Sequence, residues 1–220
     1  MKNLLFWMVL IVGTVALLGS CAKKEESTTA AAAAAACDTA YSTCDPLTST
    51  TSAAGSITVG SATLSGTYAS SCFTNVSGFS SGAVPSDTKS YGLLFIVTGN
   101  DNVTEEMNYY TDSTCTTAGY KQKQVYDNVT VGSASSVGSY FQVSQFYKLK
   151  KLLVTTTVSE TWLQGIYSNA IDFVVDTVYT LNNQAQSYNL WNVSATTFSQ
   201  GEKVLNGYPT ELEGVTYTKQ

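Results

Sequence analysis

From Ile57 to the C-terminus, apolar and β-branched residues come in short runs cut by glycine, asparagine and serine. No stretch there carries the stripe of an amphipathic helix. This punctuation restricts the chain to an all-β fold more firmly than any single motif does. The runs read as strands over 57–69, 91–98, 103–112, 121–131, 139–147, 151–159, 171–181, 188–193 and 196–198, with 208–214 as a single turn. Gly99-Asn100-Asp101-Asn102 makes a turn between two of them, so 91–112 is a hairpin. The clearest period-two pattern lies at 171–181. Ile171, Phe173, Val175, Thr177, Tyr179 and Leu181 fall on one face; Asp172, Val174, Asp176, Val178 and Thr180 fall on the other. Strands in this sequence order predict an antiparallel up-and-down barrel, which also removes sticky sheet edges, with a β-sandwich as the alternative.

The N-terminus differs in kind. Met1-Lys2-Asn3 is followed by apolar residues from Leu4 to Leu18, then Gly19, Ser20 and Cys21. A charged start, a short apolar run and a small-residue end describe a secretory signal peptide, and the run is shorter than the ~20 residues needed to span a bilayer. Leu18-Gly19-Ser20-Cys21 resembles the lipobox of bacterial lipoproteins. The resemblance implies cleavage before Cys21, acylation of Cys21 and a membrane partner reached through those acyl chains, since two or more chains make a stable anchor. Ala22, in place of an aspartate, implies sorting to the outer membrane. Residues 22–36, AKKEESTTAAAAAAA, have little to bury and read as a spacer. The expected organisation is a signal peptide at 1–20, a lipidated cysteine and tether at 21–55, and a β-domain at 56–220.

Charge excludes several chemistries. The chain has 16 acidic and 11 basic residues and no histidine. Every basic residue is lysine, and removal of Lys2 with the signal leaves 10 − 16 = −6. An acidic chain without arginine is a poor nucleic-acid binder. Without histidine, Ser-His-Asp and Cys-His catalysis and histidine-bound zinc are unavailable. No cofactor and no catalytic residue are expected.

Beyond Cys21, the four cysteines Cys37, Cys44, Cys72 and Cys115 suit an oxidising compartment and permit three pairings. One joins Cys37 to Cys44 and Cys72 to Cys115; the longer loop would contribute about 4 kcal/mol if unstrained. Glu105-Glu106 and the Asp172/Asp176 pair are the notable carboxylate groups, and all four read as solvated surface. Asn100-Asp101-Asn102 with Glu105 could offer oxygens to calcium but lacks the ligand spacing of a calcium loop, so a hairpin turn is expected. Asn75, Asn102, Asn128 and Asn192 stand in glycosylation-type sequons that read as turn-to-strand junctions. Tyr109, Tyr110, Tyr140, Phe141, Phe146, Tyr147, Trp162 and Trp191 are candidates for core packing or for lining a cavity.

LSGTYASSC at 64–72 and NYYTDSTC at 108–115 are similar to segments of small bacterial lipoproteins with a lipocalin-like barrel, and Ile171-Asp172-Phe173 matches a later strand of that group. Tyr68 stands where lipocalins have tryptophan, and no arginine exists to pack over it. The resemblance implies a lipocalin-like barrel over residues 57–220. The expected function is a lipid-anchored, non-catalytic envelope protein that binds a small apolar ligand; the alternative is a surface interaction or structural lipoprotein with a filled core, acting through its loops. The ligand-binding residues and any protein partner are left open.

Overall fold

The computed structural model describes residues 23–25 and 51–220. Its elements are β1 (Lys23–Glu25), β2 (Ile57–Val59), β3 (Ala62–Leu64), β4 (Thr67–Ala69), β5 (Ser90–Val97), β6 (Val103–Tyr110), β7 (Ala118–Ala134), β8 (Phe141–Val154), α1 (Thr157–Ile166), β9 (Thr177–Val193), β10 (Thr197–Gly201) and β11 (Leu212–Lys219). Strands β4 to β11 follow one another as antiparallel neighbours, and β11 pairs back onto β4 through Thr218–Ala69 and Lys219–Tyr68. The result is a closed eight-stranded up-and-down barrel, the lipocalin-like architecture expected, and no sandwich forms. Closure removes most of the sheet edge, and the start of β9, which β10 does not reach, is paired by β1 instead.

Two hydrophobic clusters fill the ends of the barrel. At one end the β2–β3 hairpin inserts Ile57, Val59 and Leu64 among Tyr68, Phe95, Val97, Val103, Trp191 and Phe198. At Gly60, in the hairpin turn, φ is +61° and a Cβ would stand 2.2 Å from the Phe141 ring, so only glycine fits. At the other end α1 lowers Leu163 onto Tyr120, Leu152, Val154, Phe173 and Tyr179.

The helix corrects the strand expected at 151–159. Strand β8 instead runs unbroken from Phe141 to Val154, and the chain turns helical three residues later. The threonines that suggested β-structure act as a cap. Thr156 Oγ1 accepts from Ser159 N at 3.1 Å, and Ser159 Oγ accepts from Thr156 N at 3.2 Å. This reciprocal box satisfies donors that would otherwise lack partners. The Trp162 indole N–H holds the far side by donating to the Gly82 carbonyl at 2.8 Å.

The strand expected at 171–181 begins only at Thr177. Asp176 has φ 60°, which breaks the extended backbone. Residues 171–176 instead fold over the helix-capped end, where Phe173 is buried and Ile171 and Val175 pack against the same cluster. The Tyr179 hydroxyl fixes this loop by donating to Asp172 O at 2.9 Å and accepting from Val174 N at 2.7 Å. The match of Ile171-Asp172-Phe173 to a strand is therefore not realised; the alternation comes from a loop that packs one side inward.

Part of the stretch read as a spacer also joins the fold. Lys23–Glu25 pairs antiparallel with Val178–Thr180 on the edge of β9. Ala54 N donates to Val97 O at 2.9 Å. Cys72 and Cys115 form a disulfide, with Cα atoms 6.0 Å apart, that ties the segment after β4 to the β6–β7 turn. In that turn Asp112 accepts hydrogen bonds from Thr117, Thr116 and Thr114, which hold its carboxylate well below the usual range. Cys21, Cys37 and Cys44, like residues 1–20 expected as a signal peptide, lie outside the described residues.

Candidate functional site

The region that stands apart is the waist of the barrel, between the two apolar ends. Register places Phe95, Glu105, Gln124, Lys150 and Leu181 as successive cross-strand partners from β5 to β9. Alternation turns this row inward, on the same side as Tyr126 and Tyr147 of the hairpin-end cluster and Leu152 of the helix-end cluster.

Glu105 and Glu106 therefore correct the expectation of solvated carboxylates: they are 5% and 6% exposed. Being adjacent on one strand, they point to opposite sides of the wall. Glu105 points into the barrel and receives Lys203, whose ammonium reaches in from the connection after β10 and also donates to the Tyr126 hydroxyl at 3.0 Å. The same ammonium lies 4.4 Å from the centre of the Tyr126 ring. Glu106 is on the outer face, 3.6 Å from Lys123, and accepts from Thr51 N and Oγ1 at 3.3 and 3.0 Å. Asp172 and Asp176 are exposed and lie in the loop before β9.

Around the ion pair runs a belt of amides and phenols. Tyr126 OH donates to Gln124 Oε1 at 2.6 Å, and Tyr120 OH donates to Gln122 Oε1 at 3.2 Å. Asn189 Nδ2 donates to Gln200 Oε1 at 3.0 Å, and Gln200 Nε2 donates to Tyr217 OH at 3.2 Å. Several buried atoms of this interior have no hydrogen-bond partner among the described residues: Glu105 Oε1, Gln122 Nε2, both polar atoms of Gln145, and Trp191 Nε1. Burial pushes the Tyr120 phenol well up, so it remains a neutral donor.

Lys150 completes the belt. It is buried, and no hydrogen bond or ion pair joins its ammonium to another described residue. Burial alone lowers its pKa to about 7. Sequence reasoning missed Lys203, Lys150 and the glutamines, because each reads as ordinary strand or loop polarity.

The remaining candidates disperse. Asn100, Asp101 and Asn102 form the β5–β6 turn, in which Asn102 Nδ2 donates to Asp101 Oδ1 and Asn100 Oδ1 accepts from Ser56 N. No cluster able to hold a metal occurs among the described residues. Of the aromatic candidates, Tyr147 and Trp191 are fully inside and Phe141 packs against the hairpin-end cluster. Tyr109 and Trp162 flank Tyr120 at the helix end, at ring distances of 5.6 and 5.3 Å. Tyr140 reaches Ser199 Oγ at 3.1 Å. Tyr68 is buried at the start of the barrel, and Lys219 of the last strand stands 5.8 Å over its ring. No family model matches the chain, and no curated protein matches it.

Proposed function

We propose that this protein is a lipid-anchored, non-catalytic component of a bacterial envelope, a filled barrel that acts through its outer surface and loops. The observation that carries this reading is the occupied interior. Phe95, Trp191 and Phe198 interlock with ring centres 4.3 to 5.6 Å apart, and the hairpin and the helix close the two ends. A carrier of an apolar ligand needs an apolar cavity of ~300 Å³ or more. Here the ends are packed with rings and the space between them is polar, which favours the filled-core reading over the carrier. The anchor rests on the lipobox-like residues 18–21, and an outer-membrane address rests on Ala22. Glu105 and Lys203 neutralise each other, an arrangement suited to holding strands together rather than to proton transfer.

Native mass spectrometry of the protein purified from its host envelope tests the filled barrel. The expected spectrum shows the acylated chain without an apolar passenger; a stoichiometric apolar molecule would restore the carrier. Palmitate labelling tests the anchor and should mark the wild type but not Cys21→Ala.

A further inference from the structure

The interior charges of the waist do not cancel. Glu105 carries one negative charge and Lys203 one positive charge, and these two meet. Lys150 adds a second positive charge in the same row, separated from Glu105 by Gln124. Gln124, whose oxygen accepts from Tyr126, is neutral and supplies no counter-charge. The other cross-strand neighbour of Lys150 is Leu181. Among the described residues, the waist thus holds one cation more than it holds anions. A largely buried ammonium that faces no carboxylate is disfavoured, and either loss of its proton or a counter-charge relieves the cost.

A second, independent observation points to the counter-charge. Gln122 lies diagonally across the β7–β8 ladder from Lys150, its own cross-strand partner being Leu152. Diagonal neighbours on one sheet face have Cβ atoms roughly 7 Å apart, within reach for long side chains. Tyr120 holds the oxygen of Gln122, which fixes the amide so that its NH₂ group faces away, and that buried Nε2 has no partner among the described residues. A cation without an anion and an oriented amide donor without an acceptor therefore stand side by side on one interior face. A small anion placed between them satisfies both.

We propose that the barrel waist is a binding site for a small monovalent anion, held by the Lys150 ammonium and the Gln122 side-chain amide. The roughly 7 Å between diagonal neighbours suits a species of a few atoms, such as formate or chloride, rather than an extended ligand. Burial lowers the pKa of Lys150; a bound anion raises it again. Anion binding is accordingly stronger where Lys150 is protonated. The titratable groups that share this interior include Glu105 from β6, Lys203 from the connection after β10, and the phenols of Tyr68, Tyr120, Tyr126, Tyr147, Tyr179 and Tyr217.

The test is denaturant unfolding of the purified full chain, equilibrated with sodium formate, sodium chloride or the bulky sodium gluconate at matched ionic strength. At about pH 6, formate or chloride should raise the unfolding midpoint saturably while gluconate does not, and the rise should shrink at about pH 9. Comparing formate with chloride tells a planar anion from a spherical one. Lys150→Met should abolish the specific-anion effect, and Gln122→Leu should weaken half-saturation by roughly tenfold. A wild type whose midpoint follows ionic strength alone overturns the proposal, as does an equal formate effect in Lys150→Met. Should Lys150→Met fail to fold, the wild-type comparison of the anions at the two pH values still decides.

Discussion

The barrel's ends and its waist are built from the same strands, yet they are held by opposite means. At the ends, rings meet rings: Phe95 and Phe198 approach to 4.3 Å, and Tyr120 meets Trp162 edge-on at 5.3 Å. At the waist, those strands turn glutamate, glutamine and asparagine inward and match them to one another, to tyrosine hydroxyls and to Lys203 from the connection after β10. The apolar ends gain stability from area removed from water and tolerate imperfect partners. The waist contributes only if its groups are matched, because each unmatched buried group costs about 1–3 kcal/mol, and more if charged. The ends therefore supply most of the stability, and the waist imposes conditions on it.

Lys150 is where those conditions are most exposed, and it carries the largest expected effect. Its folded-state pKa of about 7 lies below its ordinary value of 10.5. The unfolded chain therefore binds more protons between those values, and stability rises with pH through that window. The cost is absent above about pH 10.5 and complete below about pH 7, bounded near ~5 kcal/mol by 1.36 kcal/mol per pH unit. In buffer without a small anion, Lys150→Met should thus be more stable than wild type below neutral pH. The gain should fade towards pH 10.5, which urea midpoints against pH will show. A pH-independent difference would mean that the ammonium is already neutralised within the fold.

The ends make the opposite prediction. Trp191→Ala removes a fully buried ring that meets Phe95 and Phe198, at a cost of about 3–5 kcal/mol that does not vary with pH. A loss well below that range would indicate that the hairpin plug collapses into the gap, and that this end is less tightly packed than its ring distances imply.

Breaking the buried ion pair should cost nearly as much as losing the ring, but in a way a second change repairs. Lys203→Ala leaves Glu105 charged and buried, which costs about 3–4 kcal/mol. Replacing both partners, as Glu105→Gln with Lys203→Met, should recover most of that loss, since neither residue then holds an uncompensated charge. A double-mutant cycle from denaturant midpoints measures the coupling. If the double variant is as unstable as the single one, the pair holds the β10–β11 connection in place beyond balancing charge.

The same contrast explains what the sequence reveals. Phe95 and Val97 in YGLLFIVT announce a buried strand because their neighbours are apolar on both sides. In β7 the inward residues Tyr120, Gln122, Gln124 and Tyr126 interleave with outward Lys121, Lys123 and Val125. Both faces are about equally polar, so alternation marks a strand without saying which side faces in. Glu105 was illegible for a related reason. Its partner Lys203 is 98 residues away, and the pairing exists only once the barrel has closed. The loop at 171–176 shows the reverse error, in which a true period of two arises without a strand. The barrel as a whole was legible because eight antiparallel strands in sequence order have few ways to close.

The smallest expected effect lies at the helix-capped end, where a cap hydroxyl helps to start the helix. TTTVSETW has strand-forming threonines and a valine, but Thr156 with Ser159 makes a cap, and Trp162, Leu163 and Ile166 then fall on one helical side. Thr156→Ala removes the acceptor for Ser159 N and should cost about 1 kcal/mol, while Thr156→Ser should cost less. The change should appear chiefly as faster amide exchange in α1 and in residues 167–176, with β5 and β6 unaffected, because the helix closes the barrel without belonging to its wall. Equal loss of protection in β5 and β6 would show that the helix is a structural part of the closed barrel, and that its two ends are more alike than their construction suggests.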